Sequence, residues 1–271
     1  MHPEIEDVVR RALAEDIGAG DITTNLCVSA AAQAIGYMVA RESLTLAGVE
    51  LLPLIFVGCR VELSSHSGDR LQDGDEIAVV YGPARALLTG ERTALNFVQR
   101  LSGIATAASA YVRAVEGTGC RILDTRKTTP GLRRLEKMAA AAGGATNHRM
   151  GLFDAVLIKN NHITAAGGVR AALERTRSAG VPVEIEVRTR PELDEALACG
   201  ATHLLLDNLH PDEAREWIAH IDGRAKVELS GGITLENARA YAETGADFLS
   251  SGAITHSARA VDINLRLELL P

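Results

Sequence analysis

"PVEIEVRTRPELDEALACGATHLLLDN", Pro182 to Asn208, decides the fold. Val183 to Val187 and Leu204 to Asp207 are short aliphatic or β-branched runs of strand type. Between them "RPELDEALACG" has helical character and ends on Gly200, as helix C-termini often do. Strand, helix and strand in this order imply a parallel pair. The theme recurs along the chain. "CRILDT", "DAVLIKN", "AKVELSGG" and "ADFLSSGA" read as further strands, while "GGVRAALERTRSAG", "HPDEAREWIAHIDG" and "TLENARAYAETG" read as further helices. Six or seven such repeats without a Gly-x-Gly-x-x-Gly fingerprint predict a closed or nearly closed barrel rather than a Rossmann sheet.

Each strand run stops at a group that suits a ligand: Asp124 to Lys127, Lys159, Glu186, Asp207, Ser230 and Ser251. Parallel α/β barrels build their sites at that face. A single charged strand end would be ordinary solvation, but the whole series points to one site. Arg126, Lys127 and Lys159 bring positive charge, and "TNHRMG" adds His148 and Arg149. Guanidinium forks match carboxylates and ammonium groups suit phosphate, so the substrate should carry more than one acidic group. Arg133, Arg134 and Lys137, on the helix after Pro130-Gly131, are expected on a solvated face.

Glu186 and Asp207 end neighbouring strands and could share a Mg²⁺ ion, which takes oxygen ligands and keeps several waters. Glu184 alternates with Glu186 and should point to the same side. A buried ion pair with Lys159 or Arg126 and a ligand role are equal readings for it. "ELSGGIT" and "LSSGAIT" repeat one theme, in which small residues let backbone N–H groups approach a phosphate. An acidic substrate, a phosphorylated one and a divalent cation together describe phosphoribosyl transfer. A Schiff base on Lys159 and a non-catalytic phosphate-binding barrel are the competing readings.

The first part of the chain has another texture. From about Asp21 to Gly90 alternating segments and turn signals predict a small α+β domain with a mainly antiparallel sheet, with Leu51 to Val57 in a helix. A long helical stretch follows, with Leu95, Val98 and Leu101 at helical spacing and Thr89 as its N-cap. The domains are placed at 1–103 and 104–271, with the last residues free to return to the first.

Bulk composition narrows the classes. A hydrophobic content of 46%, with 23% charged residues, is that of an ordinary soluble protein. The net charge of −7 and 3% aromatic content argue against nucleic-acid binding. No apolar run is long enough to span a bilayer, and the acidic start does not read as a signal peptide, so a cytoplasmic protein is expected. Cys27, Cys59, Cys120 and Cys199 lie far apart, which speaks against a zinc site and predicts reduced thiols in or near the core.

"EDIGAGDITT", "TGERTALNFVQRLSGIAT", "DTRKTTPGLRRLEK", "GGATNHRMGLFDAVLIKNNH", "LLLDN", "ELSGGI" and "GAITHSA" span nearly the whole chain in order. In these segments the sequence closely resembles the quinolinate phosphoribosyltransferase family, the carboxylating nicotinate-nucleotide pyrophosphorylases. Asn160 stands where Asp or Glu is frequent, and the run before Asn147 lacks a Gly or aromatic residue that the family often has near Thr146.

The resemblance implies an N-terminal α/β sandwich domain plus an open, incomplete parallel α/β barrel, working as a homodimer. The implied reaction joins quinolinate to phosphoribosyl pyrophosphate (PRPP) with Mg²⁺ as cofactor. It assigns Thr125, Arg126, Lys127, His148, Arg149 and Lys159 to substrate binding, and Arg92 to the partner subunit's site. Glu186 and Asp207 match the ribose and Mg²⁺ region, and Ser230-Gly231-Gly232 and Ser251-Gly252-Ala253 the phosphate loops. Lys127, Lys159, Glu186 and Asp207 are the expected catalytic groups. Nicotinate is the rival substrate, but its single carboxylate would leave cations uncompensated.

Overall fold

The computed structural model describes residues 2–270. The chain begins with α1 (Pro3–Ile17), α2 (Ile22–Cys27), β1 (Gln33–Ala40), β2 (Leu44–Thr45) and α3 (Leu52–Ile55). It continues through β3 (Arg60–Leu63), β4 (Arg70–Leu71), β5 (Glu76–Pro83) and the long α4 (Ala84–Ala114). Next come β6 (Arg121–Leu123), α5 (Arg133–Ala142), β7 (Val156–Ile158), α6 (Asn160–Ala166) and α7 (Val169–Thr176). Strands then alternate with helices in β8 (Val183–Val187), α8 (Arg190–Ala198), β9 (His203–Asp207), α9 (Pro211–Ile221) and β10 (Lys226–Ser230). The last elements are α10 (Ala238–Ala242), β11 (Phe248–Ser250), α11 (Ala253–His256) and β12 (Ile263–Leu269).

Two compact units emerge. The first takes the chain up to Ser109, together with Thr128–Gly144 and everything from Ile254 on. Its four-stranded sheet has the order β12-β1-β5-β3 and is antiparallel throughout. The last strand thus completes the sheet of the first, with Ala34 opposite Leu269 and Ala40 opposite Ile263. Ala94, Val98, Leu101, Ala105 and Ala108 form a buried stripe along α4 at helical spacing. Gly103 sits within that helix for a reason of space, since a Cβ there would strike the carbonyl of Arg259.

Two sequence expectations change in this unit. Helix α4 starts at Ala84, so Thr89 is an interior residue rather than an N-cap. Its hydroxyl instead donates to Asp21, which caps α2. The solvated face on α5 is also corrected. Lys137 and Glu136 are fully buried, and Arg133 and Arg134 are half-buried. Glu136 accepts from Arg100 at 3.1 Å and from the hydroxyl of Thr129 at 2.7 Å, so packing has placed charge inward where it has partners. Arg134 pairs with Glu4 at 2.6 Å.

The second unit comprises Ala110–Lys127 and Ala145–Ala253. It holds a six-stranded parallel sheet of order β6-β11-β10-β9-β8-β7. Among the described residues no ladder joins β6 to β7, so the sheet is open at these two edges. Thr146 adds a parallel bridge beside Leu123. Register sets the depth of each side chain: Glu186 is level with Leu205, Leu205 with Glu228, and Asp207 with Ser230. The local signals around α8 agree with this turn of the chain. Thr189 caps its N-terminus, and Gly200 leaves it at φ +82°.

All four cysteines are free, with Cys120 buried, Cys59 and Cys199 half-buried, and Cys27 exposed rather than in the core. No helix among the described residues is long and apolar enough to cross a membrane.

Candidate active site

Alternation along the strands turns Glu184 and Glu186 to one side of β8, and likewise Glu228 and Ser230 on β10. The loop from Asn147 to Ala155 meets this face. Its backbone is tied at both ends: His148 N–H donates to Asp124 at 2.8 Å, while Met150 and Gly151 N–H donate to Asp154 at 2.6 and 2.9 Å. Arg149 Nη1 donates to the carbonyl of Ala155 at 3.1 Å. Burial and the neighbouring positive charge of Arg126 both hold the Arg149 guanidinium below its ordinary pKa. The charges of Asp154 and Glu184 act in the opposite direction.

His148 sits between two acids. Its Nε2 lies 3.2 Å from Glu184 and 3.4 Å from Glu228. Burial works against a charged ring, but hydrogen bonds to Glu184 and Glu228 outweigh it and bring His148 up to about 9. Glu228 is also raised, first by burial and then by the charge of Glu184. The cluster thus keeps a proton that solvated groups would release at neutral pH. Arg149 N–H donates to His148 Nδ1 at 2.7 Å, which places the ring proton on Nε2 and leaves Glu228, raised by burial, to hold the extra proton. Glu184 therefore pairs with His148.

His148, Glu184 and Glu228 offer ligand atoms within 4.8 Å of one another, the one group of three such residues among those described. The ring does not suit a metal. A metal-bound imidazole donates its second N–H, whereas Nδ1 here accepts.

Lys159 reaches from the end of β7 to Glu186 at 3.5 Å, and Arg188 reaches the same carboxylate at 3.1 Å. Glu186 is 4% exposed and so is bracketed by two cations. Asp207 is held instead by neutral donors, the hydroxyl of Ser230 and the amide of Asn208, both at 2.6 Å. In the cation loop, Thr125 accepts the N–H of Lys127 at 3.1 Å, and Lys127 is exposed.

The small-residue loops differ in what they offer. After β10, Gly231 and Gly232 have φ of +91° and +62°. A Cβ on Gly231 would come within 2.8 Å of the backbone nitrogen of Asn208, so only glycine fits. After β11, the hydroxyl of Ser251 donates to the carbonyl of Ile233 at 3.0 Å. That side chain is used internally. Arg92 is exposed on α4 and belongs to the first unit, whereas the other candidates belong to the second.

Sequence reasoning missed Glu228 and Arg188, and named Asp124 only as a strand end. Glu228 had a signal: a lone charge between Val227 and Leu229, two residues before Ser230, in the same pattern as Glu184 before Glu186.

The family model described as the quinolinate phosphoribosyl transferase N-terminal domain matches residues 21–102, and that of the C-terminal domain matches residues 104–266. A nicotinate-nucleotide pyrophosphorylase [carboxylating] of Mycobacterium leprae is 46% identical over 96% of this chain and 96% of its own. A probable nicotinate-nucleotide pyrophosphorylase [carboxylating] of Bacillus subtilis is 40% identical over 99% and 95%. The crystal structure of the nicotinate-nucleotide pyrophosphorylase from Francisella tularensis superimposes with a TM-score of 0.95 at 35% identity, covering 99% of this chain and 98% of that one.

Proposed function

The chain belongs to the quinolinate phosphoribosyltransferase family, and from this we propose that it joins quinolinate to PRPP, giving nicotinate mononucleotide, CO₂ and diphosphate in NAD biosynthesis. The observation that carries the reading is the match of both quinolinate phosphoribosyltransferase domain models, over residues 21–102 and 104–266, to a chain whose Arg126 acts electrostatically on Arg149. Lys127 and Lys159 extend the positive charge, as a substrate with two carboxylates requires.

In this scheme the cations fix the pyridine ring by its carboxylates and aim the nitrogen lone pair at C1 of the ribose. The N–C1 bond forms as the C1–O bond to diphosphate breaks, and diphosphate takes the electron pair. Loss of the 2-carboxylate as CO₂ leaves its bonding pair on the ring carbon, and a proton replaces it. Fixed charge and orientation supply the acceleration. Gly231, Gly232, Gly252 and Ala253 offer backbone donors to the 5-phosphate. The oxygen donors suit Mg²⁺: the Asp207 carboxylate accepts from Ser230 and Asn208, and Glu186 ends the neighbouring strand. Bound there, Mg²⁺ would neutralise charge on the diphosphate.

A homodimer in the cytoplasm completes the proposal, with Arg92 entering the partner's site. Ile22, Leu26, Leu152 and Phe153 are 76%, 81%, 74% and 77% exposed, large apolar side chains that a subunit contact would cover. Arg92→Ala and Lys159→Ala should each lose nearly all of the wild-type turnover of quinolinate. Mixing the two, with subunit exchange verified by mass spectrometry, should restore up to about a quarter of it through heterodimers with one intact site. Wild type without turnover would sink the reaction, and exchange without recovery would sink the shared site.

A further inference from the structure

Glu228 is 4% exposed, and no step of the proposed reaction uses it. It faces His148 from β10 at 3.4 Å, while Glu184 faces the same nitrogen from β8 at 3.2 Å. Strand β9 lies between those two strands, so the acids converge on the ring from either side of it. Two carboxyl groups turned to one imidazole nitrogen put the ring proton there. Nδ1 then keeps a lone pair, and that lone pair accepts the N–H of Arg149 at 2.7 Å. The backbone of His148 is fixed in turn by Asp124, which is fully buried. Both ring nitrogens are engaged within the protein, and the residue they constrain is Arg149.

We propose that Glu184 and Glu228 form a buried carboxylate clamp on His148, and that His148 passes this constraint to Arg149, making all three positioning residues for the acidic substrate. The proposal rests on reading that substrate as a dicarboxylate. An amide in place of a carboxylate can donate to Nε2 and so admit the other tautomer. That tautomer sets Nδ1–H against the N–H of Arg149 and pushes the loop away.

The test uses Glu184→Gln, Glu228→Gln and the double variant, each assayed with quinolinate and PRPP and examined by ¹⁵N NMR of the imidazole. A positioning role for ground-state binding raises the KM of quinolinate about tenfold in the double variant, with kcat and the KM of PRPP within about twofold. The NMR spectrum should show the Nε2–H tautomer of His148 in wild type and its loss in the double variant. An unchanged KM for quinolinate would overturn the clamp. So would a joint fall of kcat, both affinities and Tm, which marks a merely structural role. A zinc or manganese ion bound by wild type and lost in Glu228→Gln would overturn it as well. If wild type fails to turn over quinolinate, the reaction is wrong, and the tautomer comparison still decides the clamp.

Discussion

Arg149 is held below its ordinary pKa by burial and by Arg126, whereas the cluster around His148 keeps an added proton because two carboxyl groups face one ring. The pH dependence follows from the second case. His148 moves from 6.5 to about 9 in the folded protein, with burial opposing the change and the two acids driving it. A folded value above the unfolded one stabilises the fold fully below about pH 6.5, and that stabilisation is lost as the pH rises through about 9. Its upper size is about 3 kcal/mol. The Tm advantage of wild type over His148→Gln should therefore shrink between pH 6.5 and pH 10. A difference that stays level over this range would contradict the proton assignment.

Among the elements, the loop after β10 has the least freedom. Gly231→Ala meets both a positive φ and the backbone of Asn208, so the turn must shift. The KM of PRPP should rise at least about tenfold while that of quinolinate changes little, because the cation loop lies on other strands. An unaffected KM for PRPP would remove this loop from phosphate binding. The parallel strands and their polar ends were legible in the sequence, because period-two runs followed by Gly-terminated helices leave few alternatives. The clamp was not. Glu184 and Glu228 lie 44 residues apart, on strands whose separation by β9 is a matter of sheet order. Lys137 and Thr89 failed for a related reason. A charged residue on a helix reads as solvated until a packed neighbour claims it, and the start of α4 was hidden by a strand that passes into it without a loop.

At the scale of the whole molecule, a net charge of −7 surrounds a local cluster of arginines and lysines. Such a chain binds acidic substrates through placement rather than through overall field, and two acidic groups on one small ring are what the cluster matches. The most direct measurement follows quinolinate labelled in its 2-carboxylate, with PRPP and Mg²⁺, counting labelled CO₂ against diphosphate. The account predicts one CO₂ for each diphosphate, and little diphosphate when nicotinate replaces quinolinate. Diphosphate released without CO₂, or at a similar rate from nicotinate, would contradict it.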